Sequence, residues 1–144
     1  MAQISKPIID KIVDGLATIT AIKQTLDYPE DRMAEVIADY PIALVVESGN
    51  ENDYLSNKEN ITAFAYQVWI VSKVDNSTVQ DEWYKMRDIR DEILQYFSTN
   101  FTLGGTVMNV IPAPSVLVAA QDEIASKTVI SGYVTLKCEK DISL

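Results

Sequence analysis

Hydrophobic side chains recur at helical spacing in two parts of the chain. In residues 7–18 every third or fourth position is apolar, as one face of a helix requires: Ile8, Ile9, Ile12, Val13 and Leu16. Pro7 suits the first turn, where its missing N–H breaks no helical bond. A second stripe comprises Val79, Trp83, Met86, Ile89, Ile93, Leu94 and Phe97. Ser77 and Gln80 have capping-box spacing and predict where this second helix begins.

Alternating or continuous apolar runs predict strands at residues 42–48, 60–74, 107–119 and 128–140. Residues 20–26 predict a further short strand, with a first helix that continues through Ile19 and Ile22 as the alternative. Pro112 and Pro114 cannot donate to a ladder, so residues 107–119 form an edge strand or a strand broken by a bulge. In the last strand, Ile130, Val134, Leu136 and Cys138 alternate with Ser131, Tyr133, Thr135 and Lys137.

Polar segments connect these elements at residues 28–40, 49–60 and 120–127. The first has room for one or two helical turns between Pro29 and Pro41. We expect the loop at 49–60 to project from the surface and touch a partner, because it is long, polar and flanked by strands. The order of elements predicts a single α+β domain spanning residues 1–144. We expect a mostly antiparallel sheet of four to five strands with two main helices packed on one face.

The strand "TAFAYQVWIVSK", residues 62–73, has two sides that both need cover. One side carries Phe64, Tyr66, Val68 and Ile70, and the other carries Ala65, Trp69 and Val71. A strand with two apolar sides packs against two layers. The predicted helices supply one layer, so a second cover has to come from elsewhere.

Charge and composition exclude several classes of function. A formal net charge of −9 argues against nucleic-acid binding, which needs a basic surface. An acidic surface would nevertheless let a DNA duplex pass without adhering. Solubility is the simpler explanation of that charge. No apolar run is long enough to span a membrane, and the first residues lack the apolar core of a secretion signal. The single Cys138 fits a chain made in a reducing cytosol.

Candidate chemistry is sparse. The chain has no histidine, and its five glycines fall in no phosphate-loop frame. The 49–60 segment lacks the ligand order of a calcium loop. Asp88, Asp91 and Glu92 lie among basic residues on the second helix, where ion pairs across a solvated face are the ordinary expectation. We therefore expect no catalysis, no cofactor and no metal.

Aromatic residues exceed what one helix stripe needs, and Trp and Tyr are enriched at interface hot spots. They include Tyr54, Tyr66, Trp69, Tyr84 and Tyr133. We predict a subunit or partner interface formed by the following residues: Asn50, Asp53, Tyr54, Leu55, Trp69, Asp122 and Glu123.

Four segments in this order resemble tail-terminator and tail-completion proteins of long-tailed bacteriophages. They are the proline-opened strand "YPIALVVES", the long strand "AFAYQVWIVSK", the helix "STVQDEWYKMRDIRDEILQYF" and the closing "GYVTLKCE". The resemblance covers residues 7–140 and is one of pattern and length. It implies a ring, usually a hexamer, that caps the tail tube, ends tail growth and offers a docking face to the head connector. The genome would pass through its lumen without specific binding, and the protein would be made in the host cytoplasm and reside in the virion.

Two alternatives remain open at this point. Neck and head-completion proteins of the same particles share this architecture, so the chain could occupy the head side of the joint. A small cytosolic enzyme using carboxylates is the alternative from another class, and Asp88, Asp91 and Glu123 would be its candidate residues.

Overall fold

A computed structural model describes residues 5–28, 40–52, 61–74, 78–122 and 127–141. Within these residues lie the helices α1 (Ser5–Leu16) and α2 (Val79–Thr99). The strands are β1 (Gln24–Tyr28), β2 (Ile42–Asn52), β3 (Ile61–Lys73), β4 (Asn109–Pro114), β5 (Val118–Asp122) and β6 (Lys127–Asp141). The α+β class is confirmed, with six strands in one sheet rather than four to five.

The sheet is mixed and mostly antiparallel. Its strand order is β1-β2-β3-β6-β4, and β5 pairs with β6 beside β4. Only the β1–β2 pair is parallel among the described strands. The two longest pairings join β3 to β2 and to β6, so β3 lies at the centre of the sheet.

Both helices pack on one face of this sheet, as the sequence predicted. The buried side chains of α1 and α2 join one core with the inward side chains of the central strands, namely Ile8, Ile12, Leu16, Met86, Ile89, Ile93, Phe97, Tyr66, Val68, Ile70, Val134 and Leu136. Ser5 ties the start of α1 to this face through a hydrogen bond of 2.7 Å between its Oγ and the Tyr66 hydroxyl. The same Oγ donates to Glu47 of β2.

The second helix begins one residue later than the capping-box prediction placed it. Thr78 is the N-cap, and its side chain accepts the Asp81 N–H at 3.1 Å, while Ser77 lies outside the described residues. Val79 is 43% exposed, so the predicted stripe is wrong at its first member. It is the first helical residue, and the buried positions of α2 begin about two turns later, at Met86.

Two boundaries differ from the prediction because tertiary pairing and a local turn override composition. The helix does not continue through Ile22: α1 ends at Leu16, and the Thr18 hydroxyl donates to the Gly15 carbonyl at 2.7 Å. Residues 49–52, predicted as loop, extend β2, and a bulge between Glu47 and Gly49 lets them pair with β3. The remainder of the predicted loop, residues 53–60, and most of the connection at 28–40 lie outside the described residues.

The proline-containing edge strand is broken, as predicted, and the break is a bulge. Pro114 pairs with Val134 and Val118 pairs with Ser131, so three residues of the edge oppose two of β6. After the bulge, β5 continues to Asp122, so the polar loop predicted from residue 120 begins later than expected. Leu117 is buried over Gly132, where an added Cβ would lie 2.7 Å from a Leu117 methyl carbon.

Candidate interaction surface

The sheet face opposite the helices carries apolar side chains from four neighbouring strands. The strand registers align their outward side chains in rows, such as Leu44 beside Trp69 beside Tyr133. Neither helix packs on these rows, because the helical core lies on the Tyr66 side of the sheet. We call this surface the open face; its half-buried or exposed members are Leu44, Val46, Ala65, Gln67, Trp69, Val71, Lys73, Ile111, Ala113, Val118, Val129, Ser131, Tyr133, Thr135 and Lys137.

An aromatic pair lies at the centre of the open face. The rings of Trp69 and Tyr133 face each other from directly opposed positions on β3 and β6, with centroids 4.7 Å apart and planes tilted by 43°. The Trp69 indole N–H donates to the Gln67 side-chain oxygen at 3.0 Å. The centroid separation lies within the range of favourable aromatic pairs, and the tilt is intermediate between stacked and edge-to-face. It presents a rigid, amphipathic surface at the middle of the sheet.

Ser115, at the bulge of the edge strand, fixes the position of Tyr133. Its backbone N–H donates to the Tyr133 carbonyl at 2.8 Å, and its Oγ accepts the Tyr133 N–H at 2.8 Å. The Ser115 carbonyl in turn accepts from the Arg90 guanidinium of α2 at 3.1 Å. The bulge therefore connects the aromatic pair to the helix on the other side of the sheet.

The margins of the open face are polar or covered. Lys73 and Lys137 lie four residues beyond Trp69 and Tyr133 on antiparallel strands, about 13 Å away in opposite directions. At another margin the Asn109 amide donates to the Glu139 carboxylate at 3.4 Å. Leu26, Ile42 and Ala63 also point to this side but are buried. The accessible part of the face consequently begins at β2.

The accessible area is of the size that interfaces use. Four strands about 4.8 Å apart and about eight residues long, at about 3.3 Å per residue, give a flat area on the order of 500 Å². Large exposed surfaces that are rich in apolar side chains on a monomer are often functional. A standard protein interface takes about 800 Å² from each partner, so the open face supplies more than half of one partner's share.

The structure brings one predicted interface residue, Trp69, onto this surface. Asn50 lies in β2 and Asp122 ends β5, and their side chains are outside the described part of the structure. The other predicted members, Asp53, Tyr54, Leu55 and Glu123, fall outside the described residues. Among the remaining aromatics, Tyr66 is a buried core residue, whereas Tyr84 is exposed on α2 rather than on the open face.

Several members of the surface were not predicted from the sequence. Leu44, Ile111 and Val118 read as ordinary strand residues, and only the register shows that they share a face with Trp69. One sequence signal was available. Residues 93–121 contain no charged side chain, although 23% of the chain is charged. Ile111 and Val118 of the open face lie in that segment.

The acidic and thiol side chains of the described residues are dispersed. No three of their His, Cys, Asp or Glu side chains are grouped to hold a metal ion. Asp88 and Asp91 are exposed on the outer side of α2, and Asp91 lies 3.5 Å from Arg90. Burial raises the pKa of the Cys138 thiol from its ordinary 9.0 to about 12, which suppresses the thiolate. None of the described helices has the length and apolar character needed to cross a membrane.

No protein-family model matches the chain, and no curated protein is detectably similar to it.

Proposed function

We propose that this chain is a structural assembly protein of a long-tailed bacteriophage, a tail terminator whose copies form a ring at the head-proximal end of the tail tube. The ring ends tube growth and docks the head connector, and the genome passes through it. The order of elements motivates the family, and the open face carries the proposal. A sheet that is covered by helices on one side and carries Trp69 and Tyr133 on the other favours a partner layer on that second side.

Self-assembly accounts for the features of this surface. The open face has a flat area on the order of 500 Å², and the apolar side chains within it are costly to leave in water and can support association. Its centre holds aromatic side chains and its rim holds lysines, the arrangement found in interfaces with a dry core and a polar rim. The proposal includes no catalytic step, and it places the protein in the virion.

The first test is the state of the purified protein. We expect sedimentation and native mass spectrometry to find a closed oligomer, and negative-stain images to show rings with a central opening. Concentrations from about 1 µM to about 1 mM cover the range of weak to moderate association. A protein that stays monomeric throughout, and that also fails to bind isolated tail tubes, refutes the proposal.

The second test is location in the particle. Antibody labelling of headless tails and tailless heads from infected cells distinguishes the two ends of the joint. The proposal expects the label at the tip of headless tails. Label confined to tailless heads would assign the protein to the neck or to head completion instead.

A further inference from the structure

Further exposed apolar side chains lie outside the open face, at the two ends of the free-edge strand β4: Phe101 and Met108 precede it and Val116 follows it. Among the described side chains, five of the seven exposed large apolar ones lie in residues 101–118. Three of them, Phe101, Met108 and Val116, are not members of the open face, and Val116 is 77% exposed. We call these three residues the edge patch. They belong to the segment 93–121, which carries no charge.

The edge patch is held by a compact turn and by the bulge. Backbone hydrogen bonds from Leu103 to Asn100 and from Val107 to Thr102 close the turn that presents Phe101 and Met108. Left-handed backbone at Leu103, Gly104 and Gly105 makes this closure possible. Val116 is one of the three bulge residues between β4 and β5. Its exposure follows from the bulge rather than from disorder of the edge.

This edge does not recruit another strand through its backbone along β4. The Ser115 N–H points toward β6, and backbone N–H direction alternates along a strand. The N–H groups of residues 111 and 113 therefore also point toward β6, whereas positions 110, 112 and 114 direct their backbone groups to the free edge. Pro112 and Pro114 have no N–H, which leaves Val110 as the outward donor of β4. A partner along β4 therefore binds mainly through side chains.

Charge favours the edge patch of a second copy as the surface that covers the open face. Each copy carries a net charge of −9, so two copies approach most readily where acidic side chains are absent. The edge patch is uncharged, and the open face carries lysines at both ends. Two open faces stacked with their strands aligned would set lysines against lysines, which disfavours that pairing. An edge patch against an open face sets uncharged side chains against the centre of that face and so avoids the lysine–lysine contact.

We propose that the edge patch of one copy docks on the open face of the next, giving a head-to-tail contact between two different surfaces. This inference rests on the proposed self-assembly and specifies its geometry. A head-to-tail contact leaves one open face and one edge patch free at the two ends of any partial assembly, so subunits add until the rotation closes. Phe101 and Met108 on one side and Trp69 and Tyr133 on the other are residue types that interfaces favour.

Pairs of acidic substitutions test the two surfaces separately. The edge variant is Met108→Glu with Val116→Glu, at exposed positions where the fold is little affected. The face variant is Gln67→Glu with Thr135→Glu; glutamate at position 67 keeps the oxygen that accepts the Trp69 N–H. The control is Ala17→Glu with Thr20→Glu, which adds the same charge at exposed positions after α1. Thermal melts monitored by circular dichroism establish that each variant is folded.

The decisive measurement is native mass spectrometry of the variants alone and mixed. We expect the edge and face variants each to associate about tenfold more weakly or worse, and the control to assemble as the wild type does. Mixed in equal amounts, the two defective variants should form a heterodimer that grows no further. In that heterodimer the intact edge patch of the face variant lies on the intact open face of the edge variant.

Other results overturn the inference in distinguishable ways. If the wild type assembles and the edge variant assembles equally well, the edge patch is not an interface, while the proposed function survives. If both variants are monomeric but their mixture forms no heterodimer, the two surfaces do not meet. A wild type that never assembles removes the proposed self-assembly together with this contact.

Discussion

Replacing Trp69 with threonine separates the contribution of this residue to folding from its contribution to association. Threonine keeps a good strand former at the position and removes the ring that contacts Tyr133 at 4.7 Å. Because Trp69 is only half-buried, the monomer should lose chiefly the aromatic pair, worth about 0.5–1.5 kcal/mol. A fully buried tryptophan would cost about 3–5 kcal/mol on truncation.

Association should respond more strongly than folding. A central aromatic anchor of an interface typically contributes about 2 kcal/mol or more to the free energy of association. Its loss therefore raises the dissociation constant about 30-fold. Urea unfolding at dilute concentration reports the first quantity, and sedimentation equilibrium reports the second.

Tyr66→Phe is the matched control on the opposite face. It removes the hydroxyl that is hydrogen-bonded to Ser5 at 2.7 Å, so folding should lose about 0.5–1.5 kcal/mol and association should not change. The reasoning is refuted if Trp69→Thr costs as much stability as a core truncation and leaves association at its wild-type strength.

Three further predictions concern the fold. Ile93→Ala should destabilise the protein by about 2–5 kcal/mol in urea unfolding, because Ile93 is fully buried on the side of α2 that packs on the sheet. A loss under about 1 kcal/mol would mean that a different side of the helix packs on the sheet. Thr78→Ala should cost about 1 kcal/mol through the lost N-cap, and Thr78→Ser should restore most of it. Cys138 should resist alkylation in the folded protein at neutral pH and react after unfolding. Its pKa is raised from 9.0 to about 12, so the folded state retains the proton that the unfolded state releases, and stability should fall as pH rises above about 9. Cys138→Ala should flatten the first part of that fall, and an unchanged profile would contradict the assignment.

Sequence periodicity predicted the helical core well and the sheet edges less well. The apolar stripe of α2 and the alternation of β6 are visible in the sequence because each apolar residue of the pattern enters the core, as Ile93 and Val134 do. The extension of β2 through Asn52 has no such signal. Its Asn- and Gly-rich composition favours a loop, and only pairing with a long β3 makes it a strand.

The candidate surface was only partly predictable, because its existence follows from one strand but its membership depends on how the strands pair. The two-sided strand at residues 62–73 indicated that a second face needs cover, and Trp69 was identified from it. The neighbours of Trp69 depend on register, which joins Leu44, Trp69 and Tyr133 across three strands and is not encoded in any one of them. The bulge adds a second difficulty, because a shift of one residue decides that Val116 is exposed and Leu117 is buried.

Solvent access to Trp69 during assembly tests the central claim most directly. In a Trp83→Phe background Trp69 is the remaining tryptophan, so acrylamide quenching of its fluorescence reports on the open face alone. If the open face is the surface that copies cover, quenching should be strong in dilute monomer and should fall as subunits associate with rising concentration. Quenching that stays at its monomer value while oligomers form would show that the open face remains in water and that the copies meet elsewhere.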